Sequence, residues 1–116
     1  MKTILILLMA ATCYGADWNQ SLADAIYKAE GGAKTKHPYG ILQNFTHTTP
    51  RRACLNTIRH AQRRWVEAGR PNDFITYLGA SYCPVGAAND PTGINRHWVK
   101  NVKAFMKQAN QPLNPL

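Results

Sequence analysis

Only two glutamates stand in this chain of 116 residues, Glu30 and Glu67. Acid/base chemistry on a neutral substrate begins with a suitably placed carboxyl, so their surroundings decide what the chain offers. Glu67 falls on an arginine-rich helix, where the plain reading is an ion pair with a neighbour. Glu30 falls in the last turn of a helix that Gly31-Gly32 ends. The negative end of the helix dipole disfavours an anion there. Partial burial acts in the same direction, and both push the carboxyl toward the pKa of a general acid. Lys28, Lys34 and Lys36 act oppositely if they come close. The plain alternative is a surface glutamate at a helix end.

Other chemistries have weaker support. His37, His47, His60 and His97 show no H-E-x-x-H and no ligand-like spacing, so neither a metal nor any other cofactor is expected. Acid/base work by His47 and His97, in the manner of a ribonuclease, has no spacing behind it. There is no phosphate loop and no Gly-x-Ser-x-Gly. Cys54 and Cys83 read first as a disulfide, with a cysteine nucleophile near His60 as the alternative.

That disulfide presumes export. Lys2, the apolar run from Ile4 to Ala11 and the small residues before Asp17 have the layout of a secretory signal over 1–16. The run is about half the ~20 residues a membrane span needs. Ala10-Ala11-Thr12-Cys13 hints at a lipoprotein signal, with alanine where leucine is usual. The expected compartment is periplasmic or extracellular. Cys13 and one lysine leave with the signal. Thirteen Lys+Arg then face six Asp+Glu, a net charge of +7. Such a surface draws acidic wall polymers or anionic lipid, and export makes intracellular nucleic acid the poorest fit. A Cys54–Cys83 bridge spans 29 residues. In a small core it is worth about 3–4 kcal/mol on the chain-entropy model.

The elements that must position Glu30 are helical. With 45% hydrophobic and 17% charged residues, the chain is one small ordered domain. Leu22, Ala25, Ile26 and Ala29 predict a first helix over about 20–30, with Ser21 as cap. Residues 31–49 carry no helical period and read as an irregular loop or short β-hairpin, a length of loop that is usually functional. Thr49-Pro50 starts a second helix to about residue 68, with Cys54, Ile58, Ala61 and Trp65 inward. Arg52, Arg59 and Arg63 share its outer face, as a solvated stripe or a polyanion contact. Asn72 or Asp73 caps a third helix through Tyr82. Thr92 caps a fourth to about residue 110, with Ile94, Trp98, Val102, Phe105 and Ala109 inward. Residues 111–116 read as a flexible tail, leaving 17–110 as the folded domain.

Against this frame the segment Ala25-Ile26-Tyr27-Lys28-Ala29-Glu30-Gly31-Gly32 resembles the helix-ending segment of lysozyme-like lytic transglycosylases. Tyr39-Gly40-Ile41-Leu42-Gln43, ten residues on, looks like the Gly-Leu-Met-Gln segment of that family, which lines the glycan cleft. Residues 74–84, then Asn95 and Trp98-Val99, are similar to the C-terminal part of such domains. The resemblance spans about 20–106. The family has serine after the glutamate where this chain has Gly31. Its Tyr-Asn-Ala-Gly stretch is only approximated here by Tyr82-Cys83-Pro84-Val85-Gly86.

The resemblance implies a small, mainly α, lysozyme-like domain of about four helices. It implies Glu30 as the acid/base and peptidoglycan glycan strands as the partner, acted on by a monomer. Tyr39 and Tyr82 would stack on or hydrogen-bond sugars, Gln43 would hold an N-acetyl group, and Asn95 would face the substrate. Trp65 and Trp98 read as core residues. Ordinary glycoside hydrolysis uses two carboxyls. No acid lies between Glu30 and Glu67, and Asp73 and Asp90 are remote in sequence. A lytic transglycosylase needs one. The expectation is therefore cleavage of the β-1,4 bond between N-acetylmuramic acid and N-acetylglucosamine by a single glutamate. The rivals are a hydrolytic muramidase using Asp73 or Asp90, and a non-catalytic cationic wall-binding protein.

Overall fold

The structure, a computed structural model, describes residues 17–42, 45–83 and 93–115. The fold is mainly α, with four helices among those residues and no strand. The signal segment expected over 1–16 lies outside the described residues, as does the stretch 84–92. No helix among the described residues is long and apolar enough to cross a membrane.

Helix α1 is already formed at residue 17 and runs to 29. Its expected start at Ser21 is overridden by burial. Trp18 is fully buried, packs on Phe74 with ring centroids 5.8 Å apart, and donates its Nε1 hydrogen to the Pro112 carbonyl at 2.8 Å. A cap is worth about 1 kcal/mol, less than a buried tryptophan, so tertiary packing keeps residues 17–20 helical ahead of Ser21. Leu22, Ala25 and Ile26 follow on the same buried face.

Helix α2, Pro50–Glu67, starts as its residues predict. The Thr49 hydroxyl accepts the Arg52 backbone N–H at 3.2 Å, and Pro50 occupies the first turn, where its missing N–H costs nothing. Cys54, Leu55, Ile58, Ala61 and Trp65 are buried. Arg51 ties α2 to α1 through Asp24 at 2.9 Å and the Gln20 side chain at 2.6 Å. Glu67 is exposed and forms no ion pair among the described residues, so the pairing expected for it is not made.

Helix α3, Phe74–Tyr82, is capped by Asp73, whose carboxylate accepts the Thr76 N–H at 2.9 Å and pairs with Lys103 at 2.9 Å. Helix α4, Trp98–Gln108, is shorter than its expected span. Residues Ile94–His97 wind as a 3-10 turn entered through Gly93 at φ 70°. Trp98, Val102 and Met106 are buried, whereas Ala109 is exposed. Gly79 lets α3 and α4 touch. A Cβ there would fall 2.5 Å from Val99 Cγ2 and 3.2 Å from the Trp98 ring.

Of the two readings of the loop after α1, irregular loop or short hairpin, the structure has the irregular loop, with two 3-10 turns at Gly32–Lys34 and Pro38–Gly40 and no strand among the described residues. Two residues of the segment expected as a flexible tail, Pro112 and Asn114, bond to the core. Pro112 accepts from Trp18, and the Asn114 side-chain oxygen accepts the Phe74 N–H at 2.8 Å. That bond satisfies one of the donors left open at the start of α3.

Candidate functional site

Glu30 sits where α1 gives way to the loop, its own N–H still bonded to the Ile26 carbonyl at 2.9 Å. Gly31, at φ 106°, turns the chain away. The two 3-10 turns then bring it back, so that Gly40 lies over the Glu30 carboxyl. A Cβ on Gly40 would stand 2.7 Å from Oε2 and 3.1 Å from Oε1, and its φ of 69° is also one that side chains avoid. Only glycine meets both conditions at this position.

The backbone that delivers Gly40 is strained and braced. Tyr39 has φ 61°, a conformation costing about 1–2 kcal/mol for a residue with a Cβ. Its buried ring packs on Tyr27 at 5.2 Å. Its hydroxyl accepts from Arg51 at 3.1 Å, and its carbonyl accepts the Tyr82 hydroxyl. Tyr39, expected to contact sugar, is thus a buried brace. Tyr82 lines the cleft, yet its hydroxyl is directed inward to Tyr39 and stands 3.8 Å from Cys54 Sγ. Burial is the main reason its pKa is far above the ordinary phenol value.

From the other side Trp98 Nε1 donates to Glu30 Oε1 at 2.7 Å. The Trp98 ring is fixed by α4 and by stacking on Tyr82 at 5.3 Å. Burial raises the Glu30 pKa above the usual carboxyl value, and the indole hydrogen bond opposes part of that rise. Lys28, one of the three lysines weighed against this, instead lies over the Phe105 ring at 5.8 Å. The result is a carboxyl held in place that favours its neutral form more than an exposed glutamate does.

Three adjoining hollows open beside it. One of about 270 Å³ is lined by Glu30, Thr35, His37, Gly40, Leu42 and Tyr82. A second, about 360 Å³, reaches from Glu30 past Trp98 to Asn101. A third, about 420 Å³, continues along Thr76, Gly79 and Arg96. Asn95 and Cys83 line all three. Asn95 thus shares two of the hollows with Glu30, while Gln43 lies outside the described residues.

No second acid joins Glu30 among the residues lining these hollows. Asp73 is at the far end of α3 from Tyr82, about 13 Å along the helix. Its hydrogen bonds from Thr76 and Lys103 outweigh its burial and hold its pKa low, fitting a cap rather than a proton donor. Asp90 lies outside the described residues.

The expected Cys54–Cys83 bridge is not formed in the structure, where both residues are thiols. Cys54 is buried and its thiol is pushed up to about 11 by that burial, which makes it a poor nucleophile. His60 is exposed on α2 while Cys54 faces the core, so the two form no catalytic pair. Among the described residues no three His, Cys, Asp or Glu gather as a metal cage would need.

Sequence reasoning missed Trp98 as the partner of Glu30. Its position on the buried stripe of α4 carries no sign of a carboxylate 68 residues earlier. Thr35 and His37 in the cleft wall were also missed, because the fold of the loop alone puts them there. Comparison with family models, with curated proteins and with solved structures finds no match to this chain.

Proposed function

We propose that this protein is a lytic transglycosylase. It cleaves the β-1,4 bond between N-acetylmuramic acid and N-acetylglucosamine in peptidoglycan, working as an exported monomer without a cofactor. The observation that carries the reading is a single half-buried carboxyl, raised in pKa and gripped by Trp98, on the wall of a cleft whose described lining holds no other acid. The resemblance of residues 25–32 and 39–43 to that family supports it.

The chemistry balances on one carboxyl. Neutral Glu30 donates its proton to the bridging oxygen as the C1–O bond breaks, and the departing sugar leaves as an alcohol. The Glu30 carboxylate then takes the proton of the muramic 6-hydroxyl as that oxygen bonds to C1. The product is a 1,6-anhydro sugar, and the glutamate ends protonated as it began. Gly40 leaves room at Oε2, and Trp98 holds Oε1. The adjoining hollows give a glycan strand space on both sides of the carboxyl.

Digestion of purified peptidoglycan by the protein, beside Glu30→Gln, with products read by mass spectrometry, tests this. Anhydromuropeptides from the parent and none from the variant are expected. Reducing ends would point to a hydrolytic muramidase instead. Binding to peptidoglycan without soluble products from either protein would leave a wall-binding protein.

A further inference from the structure

Helix α2 carries a second feature that the cleft does not use. Its buried stripe turns Cys54, Ile58, Ala61 and Trp65 inward. On the outer side Arg52, Arg59 and Arg63 are all exposed. At 3.6 residues per turn they fall within an arc of about 40° and span about 16 Å along the axis. Exposed His60 and Arg64 flank the row. The ion pairs among the described residues are Arg51–Asp24 and Lys103–Asp73, so no described carboxylate pairs with the row. Glu67, one turn beyond Arg63, makes no pair with it. Arg59 Nη1 donates to Asn56 Oδ1 at 3.2 Å, which holds that guanidinium along the row.

We propose that this face of α2 binds a linear phosphodiester polymer of the cell wall, of the poly(glycerol phosphate) class, and so holds the enzyme beside its glycan. The proposal rests on the glycan reading of the cleft for its biological setting, not for the binding itself. Guanidinium groups fork onto phosphate oxygens bidentately, and a straight row of three suits a chain that repeats its charge. A helix that inserts into a lipid surface carries apolar side chains beside its cations. The apolar stripe of α2 is packed in the core, and Val66 is the one large apolar side chain that the helix exposes.

The test is equilibrium binding of the protein to synthetic poly(glycerol phosphate) over a range of salt, beside an Arg52→Gln/Arg59→Gln/Arg63→Gln variant. The variant is expected to bind at least ten-fold more weakly at low salt. Its slope of log affinity against log salt should be shallower by about 2, as loss of three contacts at ~0.7 each implies for a single-stranded polyanion. Its thermal midpoint and its turnover of short glycan fragments free of the polymer should match the parent's, since all three side chains are exposed and outside the cleft. Equal polymer binding by both proteins would overturn the proposal. Arginine-dependent binding to phosphatidylglycerol vesicles, with none to the polymer, would overturn it in favour of a membrane. Arginine-dependent polymer binding by a protein that cleaves no glycan would leave this face standing and remove the enzymatic reading of Glu30.

Discussion

The two ends of α3 belong to different kinds of structure. At its start Phe74 is enclosed by Trp18 and Trp65, at centroid distances of 5.8 and 5.4 Å, and the N–H groups of Phe74 and Thr76 are answered by Asn114 and by the Asp73 cap. At its end Tyr82 meets a strained turn, a half-buried carboxyl and the buried thiol of Cys54. The first end lowers free energy wherever it can. The second holds Tyr39 at positive φ and Glu30 away from water, both costs that packing elsewhere must offset. A small domain tolerates such an end only because the other is so well packed.

The sharpest way to break this contrast is Glu30→Gln. Turnover should fall by about 10²–10⁴-fold, the usual share of a general acid. Stability should move the other way. Because burial raises the folded-state pKa of Glu30, its favourable contribution is complete below the unfolded value near 4.5 and is lost as pH climbs through the folded one. The variant should therefore melt above the parent at neutral pH, with the gap closing in acid. A variant that melts lower at every pH would contradict the idea of a costly carboxyl.

Phe74→Ala attacks the other end. It should lose about 3–5 kcal/mol in denaturant unfolding, enough to leave little folded protein. Gly79→Ala couples the two ends. Its methyl collides with Val99 and the Trp98 ring, so overpacking of about 1–3 kcal/mol should come with lost turnover, because Trp98 moves off Glu30. An alanine that costs stability and leaves turnover whole would uncouple them. The mildest change is Trp98→Phe. Loss of the indole donor removes the interaction that lowers the Glu30 pKa, so the alkaline fall in the pH–rate profile should shift upward. An unmoved or lowered limb would show that the hydrogen bond does not tune the acid.

What could be read from the residues follows the same division. Thr49-Pro50 and the stripe of α2 were legible because capping and periodicity are local. So was Glu30, since a glutamate before two glycines marks its own place at a helix end. The helical turn ahead of Ser21 was not, because Trp18 packs on Phe74, 56 residues on. Trp98 looked like any core tryptophan. Tyr39 and Tyr82 looked like sugar contacts, and their use inside the wall depends on a positive φ that no residue pattern announces. The cysteine pair was read from compartment and parity, and neither places two sulfurs in contact.

The clamp on Tyr39 has a consequence for motion. Arg51 on α2 grips its hydroxyl, Tyr82 on α3 grips its carbonyl, and the Gly40 N–H is bonded to the His37 carbonyl at 2.9 Å. This side of the cleft cannot breathe without disturbing two helices, so the Gly40 amide should exchange with deuterium nearly as slowly as the core of α2.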